Sequence, residues 1–207
     1  MKINIETWPR KQTFLFYENL DVPMYTMTFD LDVTRFYHRI KQQKHSFYFT
    51  FMHLVMRNMH AIENFRYRFV DDEPYLFDSI HPSFTDAIEG SDQFKIVTVD
   101  YREDLTSFIQ NAKQQSDVQG SQFIDLSHEV RQDLVYITTF PWARYTQVSH
   151  AYNINPHDAI PRVVWGKFEE INGRKIMPFS ISVHHAFVDG RHVGLFINQL
   201  QEQMNVE

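Results

Sequence analysis

The Asn172-Gly173 pair, set between two β-prone runs, constrains this chain more than any other feature. Both residue types tolerate positive φ, which the tight two-residue turn of an antiparallel hairpin demands. The flanking runs are 162–169 and 175–183. In the second, Met177, Phe179, Ile181 and Val183 alternate with Pro178, Ser180 and Ser182, as in a half-buried strand. The hairpin commits the chain to an antiparallel pair, and its second arm runs directly into His184 and His185.

Around this arm, strands and helices intermingle without strict alternation. The β-prone runs 65–70 and 75–80 are joined by the turn residues Asp71, Asp72 and Pro74. Further strands are predicted at 95–99 and at 134–139, the latter ending at Pro141. Helices are predicted over 32–43, 50–62, 105–112 and 191–204. Met52, Val55, Met56, Met59 and Ile62 share one face of the second, and Val193, Phe196, Ile197, Leu200 and Met204 one face of the last. The mixture predicts an α+β layer fold with a large mixed or antiparallel sheet. With 207 residues, no internal repeat and no low-complexity linker, a single domain over 1–207 is the economical expectation.

Composition removes several function classes. The formal net charge is -6, without a long basic run, so nucleic-acid binding is not expected. The absence of cysteine excludes disulfides, thiol catalysis and cysteine-ligated zinc. No stretch approaches the ~20 apolar residues of a membrane span, and residues 1–10 contain no apolar signal core; a soluble, unexported protein is expected. The 19 Phe and 10 Tyr suit a thick core or a large ligand wall.

The residues best suited to chemistry lie at 180–190, where a strand ends in two histidines and Asp189-Gly190 opens a helix. Adjacent strand residues point to opposite faces, so only one histidine faces a given cavity, and His185 has the parity of Ile181 and Val183. An imidazole with a pKa near ~6.5 takes up and returns a proton at neutral pH. Two other readings stand beside this one. Backbone groups satisfy both rings, or His184, His185, Asp189 and His192 ligate a metal, which their crowded spacing disfavours.

His184, His185, Asp189 and Gly190 match the His-His-x-x-x-Asp-Gly signature of the chloramphenicol acetyltransferases, which this chain resembles nearly end to end. A shorter form of the signature occurs in dihydrolipoamide acyltransferases, so the other segments narrow the resemblance. Trp8, Arg10, Lys11 and Phe14 are similar to the family's N-terminal Trp-x-Arg-Lys-x-x-Phe. His45-Ser-Phe-Tyr48, Glu63-Asn-Phe-Arg66, Asp78-Ser-Ile-His-Pro82, Pro141-Trp142 and Gly166-Lys167-Phe168 follow in order. The resemblance implies a single-domain two-layer sandwich of the CoA-dependent acyltransferase type, with a large mixed β-sheet packed by helices. It implies a chloramphenicol O-acetyltransferase conferring antibiotic resistance, using acetyl-CoA as cosubstrate and no bound cofactor or metal.

By the same resemblance, His185 is the general base that deprotonates the acceptor hydroxyl for attack on the thioester. Asp189 is structural and pairs with Arg10. Thr138 stands where the family has the serine that donates to the oxyanion, and Val164 replaces a threonine that holds a nearby water. Tyr48 and Phe168 match the aromatics around adenine, Lys167 a phosphate-steering lysine, and Trp142 a tryptophan near the pantetheine arm. The family's other lysine is replaced by Ser46, with Lys44 close by. Tyr17 and Tyr25 fall at aromatic positions of the acceptor pocket, but Asp21, Pro23 and the loop 147–156 depart from the pattern. The resemblance further implies a cytoplasmic homotrimer with sites between subunits. Two alternatives stay open: transfer to another hydroxyl compound, and a ligand-binding relative weakened at Thr138 and Val164. Retention of Arg10, His185, Asp189 and a hydroxyl at 138 argues against the second.

Overall fold

The computed structural model describes residues 1–206 apart from Glu129 and Tyr152. The hairpin forms at its predicted turn: Asn172 (φ 52°) and Gly173 (φ 75°) reverse the chain between β8 (Glu169–Ile171) and β9 (Arg174–His184). Strand β9 is the spine of the sheet. On one side it pairs antiparallel with β1 (Met24–Asp32), and on the other with β7 (Arg162–Gly166). Beyond β7 lie β6 (Leu134–Phe140) and β4 (His81–Ala87), joined in parallel, and then β5 (Phe94–Thr98), antiparallel to β4. The order is β1-β9-β7-β6-β4-β5, so the sheet is mixed, and β2 (Tyr67–Val70) and β3 (Glu73–Leu76) form a separate hairpin.

The helices are α1 (Lys11–Tyr17), α2 (Thr34–Gln42), α3 (Phe47–Ala61), α4 (Leu105–Gln119) and α5 (Gly190–Asn205). Aromatic wedges fasten them to the sheet. Phe51 of α3 sets its ring edge-on to Trp165 at 5.0 Å and to Phe179 at 6.1 Å. Phe196 of α5 reaches Phe179 at 6.0 Å and Phe65 at 5.3 Å. Phe51, Phe65, Phe179 and Phe196 are fully buried, and truncating any of them to alanine costs about 3–5 kcal/mol. Among the described residues no helix is long and apolar enough to cross a membrane.

Several elements differ from expectation. Strand β9 is buried on both faces rather than one: Ser180 and Ser182 are as enclosed as their apolar neighbours. A central strand can bury them because their hydroxyls pair with Thr28 (2.7 Å) and Thr26 (2.6 Å) across β1. Strands β1 and β4 were not expected. The run 65–70 opens as a 3-10 turn over Glu63–Arg66, and Pro74 sits inside β3 opposite Phe69, leaving Asp71 (φ 51°) and Asp72 (φ 62°) to make the turn. Helix α3 starts three residues early and α4 runs on to Gln119, where Gly120 stops it.

Candidate active site

The two histidines part company where β9 ends. His184 is buried; its Nε2–H donates to the Pro156 carbonyl at 2.7 Å, and its Nδ1 accepts from the Ala186 amide at 3.2 Å. Both ring nitrogens are spent on backbone, so the ring is a neutral tautomer, and burial pushes its pKa down to about 4. The backbone-satisfied reading is correct for His184, which has no nitrogen left for a metal or a proton transfer.

His185 lies one residue beyond the strand. Its amide donates to the Pro23 carbonyl at 3.0 Å, extending the β1–β9 ladder. The imidazole stacks flat on Tyr17 (centroids 3.8 Å, planes 4° apart), and Tyr25 leans on it at 4.6 Å. Its Nδ1 is buried without a hydrogen-bond partner. Such a nitrogen costs about 1–3 kcal/mol, so the ring is not held there for stability alone.

Arg10 fixes the loop that carries His185. From the N-terminus of α1 its Nε–H donates to the Ala186 carbonyl at 2.7 Å and one Nη2–H to the His185 carbonyl at 3.2 Å. Nη1–H donates to Asp189 Oδ2 at 2.9 Å. Asp189 also caps α5, accepting from the Arg191 amide at 3.0 Å, while His192 Nδ1 accepts from the Asp189 amide at 3.1 Å. Burial alone pushes the Asp189 carboxyl up, but the Arg10 hydrogen bond and the His192 and Arg10 charges outweigh it and leave the pKa lowered. Burial, then the Asp189 charge, raises Tyr25 to about 12, so it stays a neutral phenol. Helix α1 delivers Arg10 from one end and Tyr17 from the other. It is anchored between them by buried Phe14, whose ring meets Phe187 at 5.6 Å and Phe69 at 5.8 Å.

Thr138 is elsewhere on the sheet. It stands in one row with Val164, Ser180 and Thr28, opposite one another in β6, β7, β9 and β1. His185 lies five residues past Ser180 along β9 and two strands away from Thr138. At ~3.3 Å per residue and ~4.8 Å per strand, the two positions are roughly 19 Å apart. One chain therefore does not bring His185 and Thr138 together.

Thr138 lines a cavity of about 960 Å³ with Phe94, Phe140, Trp142, Tyr145 and Val164. Gly166 lets Tyr145 lie flat against β7: an added Cβ would sit 2.9 Å from the tyrosine ring and 2.8 Å from Pro178 Cγ, and the Tyr145 hydroxyl donates to the Val164 carbonyl at 2.8 Å. A second cavity, of about 620 Å³, gathers Tyr48, Lys167 and Phe168, together with Tyr37, Lys41 and His45, while Trp142 lines the first. The two cavities share Thr139 and Pro141, which gives a long ligand a route from one to the other. Tyr48 is less free than expected, for its hydroxyl donates to the Thr85 carbonyl at 2.6 Å and its ring packs on Trp165. Lys41 lines this cavity and Lys44 does not: Lys44, at φ 56°, ends α2. The sequence reading missed Tyr37, Lys41 and Tyr145, since their value lies in which cavity the fold turns them toward.

Three comparisons bear on this geometry. The family model described as chloramphenicol acetyltransferase matches residues 1–201. A chloramphenicol acetyltransferase from Klebsiella sp is 30% identical over 202 residues, covering 97% of this chain and 91% of the relative. A solved chloramphenicol acetyltransferase structure superposes with a TM-score of 0.90 at 26% identity, covering 99% of this chain and 100% of that one. The cubic core of the pyruvate dehydrogenase multienzyme complex shares the fold alone, with a TM-score of 0.69 at 15% identity, covering 93% and 86%.

Proposed function

Because the chain belongs to the chloramphenicol acetyltransferase family, we propose that it transfers acetyl from acetyl-CoA to a hydroxyl of chloramphenicol, with His185 as general base. The observation that carries this reading is the three-point hold of Arg10 on the His185 carbonyl, the Ala186 carbonyl and Asp189. It fixes the backbone that follows the ring, while the bond from the His185 amide to the Pro23 carbonyl holds the side before it, as a positioned base requires. His185 takes the hydroxyl proton as the oxygen attacks the thioester carbonyl. The tetrahedral oxyanion accepts a hydrogen bond from Thr138, then collapses, expelling the CoA thiolate, which is protonated from the imidazolium. Tyr48, Phe168, Lys167 and Trp142 hold CoA, a cosubstrate rather than a resident cofactor, and Tyr17 and Tyr25 contribute to the acceptor pocket.

The separation of His185 from Thr138 supports a site shared between chains. We assign a cyclic homotrimer of one-domain subunits, in which His185 of one copy meets the Thr138 cavity of the next. Such contacts are heterologous and need two unlike surfaces. Leu15, Phe16, Leu20 and Val22 expose apolar area near His185, and Phe94, Phe123, Phe140 and Trp142 do so around Thr138. The cytoplasm, where acetyl-CoA is supplied, is the expected compartment. The test is chloramphenicol-dependent thiol release from acetyl-CoA, repeated on hybrids of His185→Ala and Thr138→Ala subunits. Activity recovered in hybrids supports a shared site. No chloramphenicol-dependent release by the wild type refutes the acceptor, and an active monomer refutes the shared site.

A further inference from the structure

His150 is the one histidine at the Thr138 cavity among the described residues, and it lies in the loop that departs from the family pattern. It also lines an adjoining cavity of about 820 Å³, which shares Thr85, Phe94 and Thr138 with the first. Its Nε2 is buried and has no hydrogen-bond partner. Burial, aided by the Arg162 charge, holds its pKa below the usual histidine value, so the ring is neutral at neutral pH. A neutral imidazole offers one donor and one acceptor. Phe94, Phe140 and Trp142 make much of the surrounding wall apolar. A polar point on such a wall fixes the orientation of whatever binds. Leaving it unpaired is unfavourable, and a ligand that pairs it removes that cost.

We propose that His150 is a specificity residue of the acceptor site: through Nε2 it hydrogen-bonds a polar substituent of the bound alcohol, remote from the hydroxyl that is acetylated. This rests on the acetyl-transfer reading above. A bond to a part of the substrate that does not react is made equally in the ground and transition states, so its loss raises KM and spares kcat. The rate machinery at His185 and Thr138 is untouched.

The experiment compares wild type, His150→Leu and His150→Gln by steady-state thiol release, varying chloramphenicol and acetyl-CoA separately, with light scattering on each protein. His150→Leu should raise the chloramphenicol KM roughly 3–10-fold, the range of a neutral hydrogen bond, with kcat and the acetyl-CoA KM unchanged. His150→Gln, which keeps a polar end, should recover most of the loss. An unchanged or lower chloramphenicol KM in His150→Leu overturns the assignment while the acetyltransferase reading stands. Equal losses in the leucine and glutamine variants overturn it too, since they mark shape rather than hydrogen bonding. Dissociation of the leucine variant into smaller species with KM unchanged also overturns it and gives the nitrogen a partner in a second copy. A wild type inactive toward chloramphenicol refutes that acceptor and this assignment with it.

Discussion

Acid should destabilise this protein through His184 in a window set by its burial. In the unfolded chain the ring titrates near 6.5, and in the fold its pKa is down to about 4. Between those values the unfolded chain binds the proton and the folded one does not, so stability falls as the pH drops. The contribution is intact above pH ~6.5 and fully lost below about 4. A difference of about 2.5 units, at about 1.36 kcal/mol per unit, is about 3 kcal/mol. The atomic reason is visible: protonation puts a second N–H on a ring whose Nδ1 already faces the Ala186 amide, setting donor against donor. Other histidines, His53, His60 and His81 among them, are lowered by their partial or full burial too, so the wild-type pH slope is a composite. His184→Gln isolates one part of it, since glutamine keeps a donor for the Pro156 carbonyl and does not titrate. Urea unfolding at fixed protein concentration, from pH 7 down to pH ~4, should show the variant less stable at neutrality. The gap should close by about 3 kcal/mol toward the acid end. A gap that stays constant with pH would refute the neutral, backbone-bonded assignment of His184.

His185→Ala should lower turnover at least 10²–10⁴-fold, roughly the contribution of general-base assistance, while calorimetry finds CoA affinity retained; near-normal turnover would remove His185 from the chemistry. Thr138→Ser should match or exceed the wild-type rate, and Thr138→Ala should lose on the order of 10²–10³-fold in kcat; equal rates for alanine and wild type would reduce Thr138 to packing. Asp189→Asn should keep an oxygen to cap α5 but give up the ion pair to Arg10, so the melting temperature falls modestly while turnover drops up to about 100-fold as the Arg10 hold loosens. Asp189→Ala should lose the cap as well, at about 1 kcal/mol, and a fully active Asp189→Asn would detach that hold from catalysis.

Strand β9 and the two histidines at its end were legible because their signals are local: a two-residue turn, a period of two, and a short motif. Strand β1 was not, although Tyr25 within it was singled out. Thr26, Thr28, Asp30 and Asp32 make it polar on one side, and only the hydroxyls of Ser180 and Ser182, some 150 positions away, show what the threonines pair with. The site divides in the same way. Arg10, His185 and Asp189 are carried by motifs, and the structure brings them together. Lys41 was not singled out, because only the folded course of α2 turns it to the cavity. Nothing in a loop without periodicity distinguishes His150 from a solvated residue until the cavity exists.

The Arg10 hold also bears on when activity appears as the chain is made. Its three hydrogen bonds join residues 175–179 positions apart. Arg10 leaves the ribosome long before its partners, which follow it by 175 positions or more. Nothing the earlier chain folds into can place His185, because the carbonyls that Arg10 grips do not yet exist. Contacts of such long range close late and slowly, so the His185 loop is fixed only once β9, the spine of the sheet, is in place. Until residue 189 has been made, no arrangement of the preceding chain can supply the full Arg10 hold, so enzyme activity reports on synthesis through Asp189 in a way that antibody recognition of an earlier segment does not.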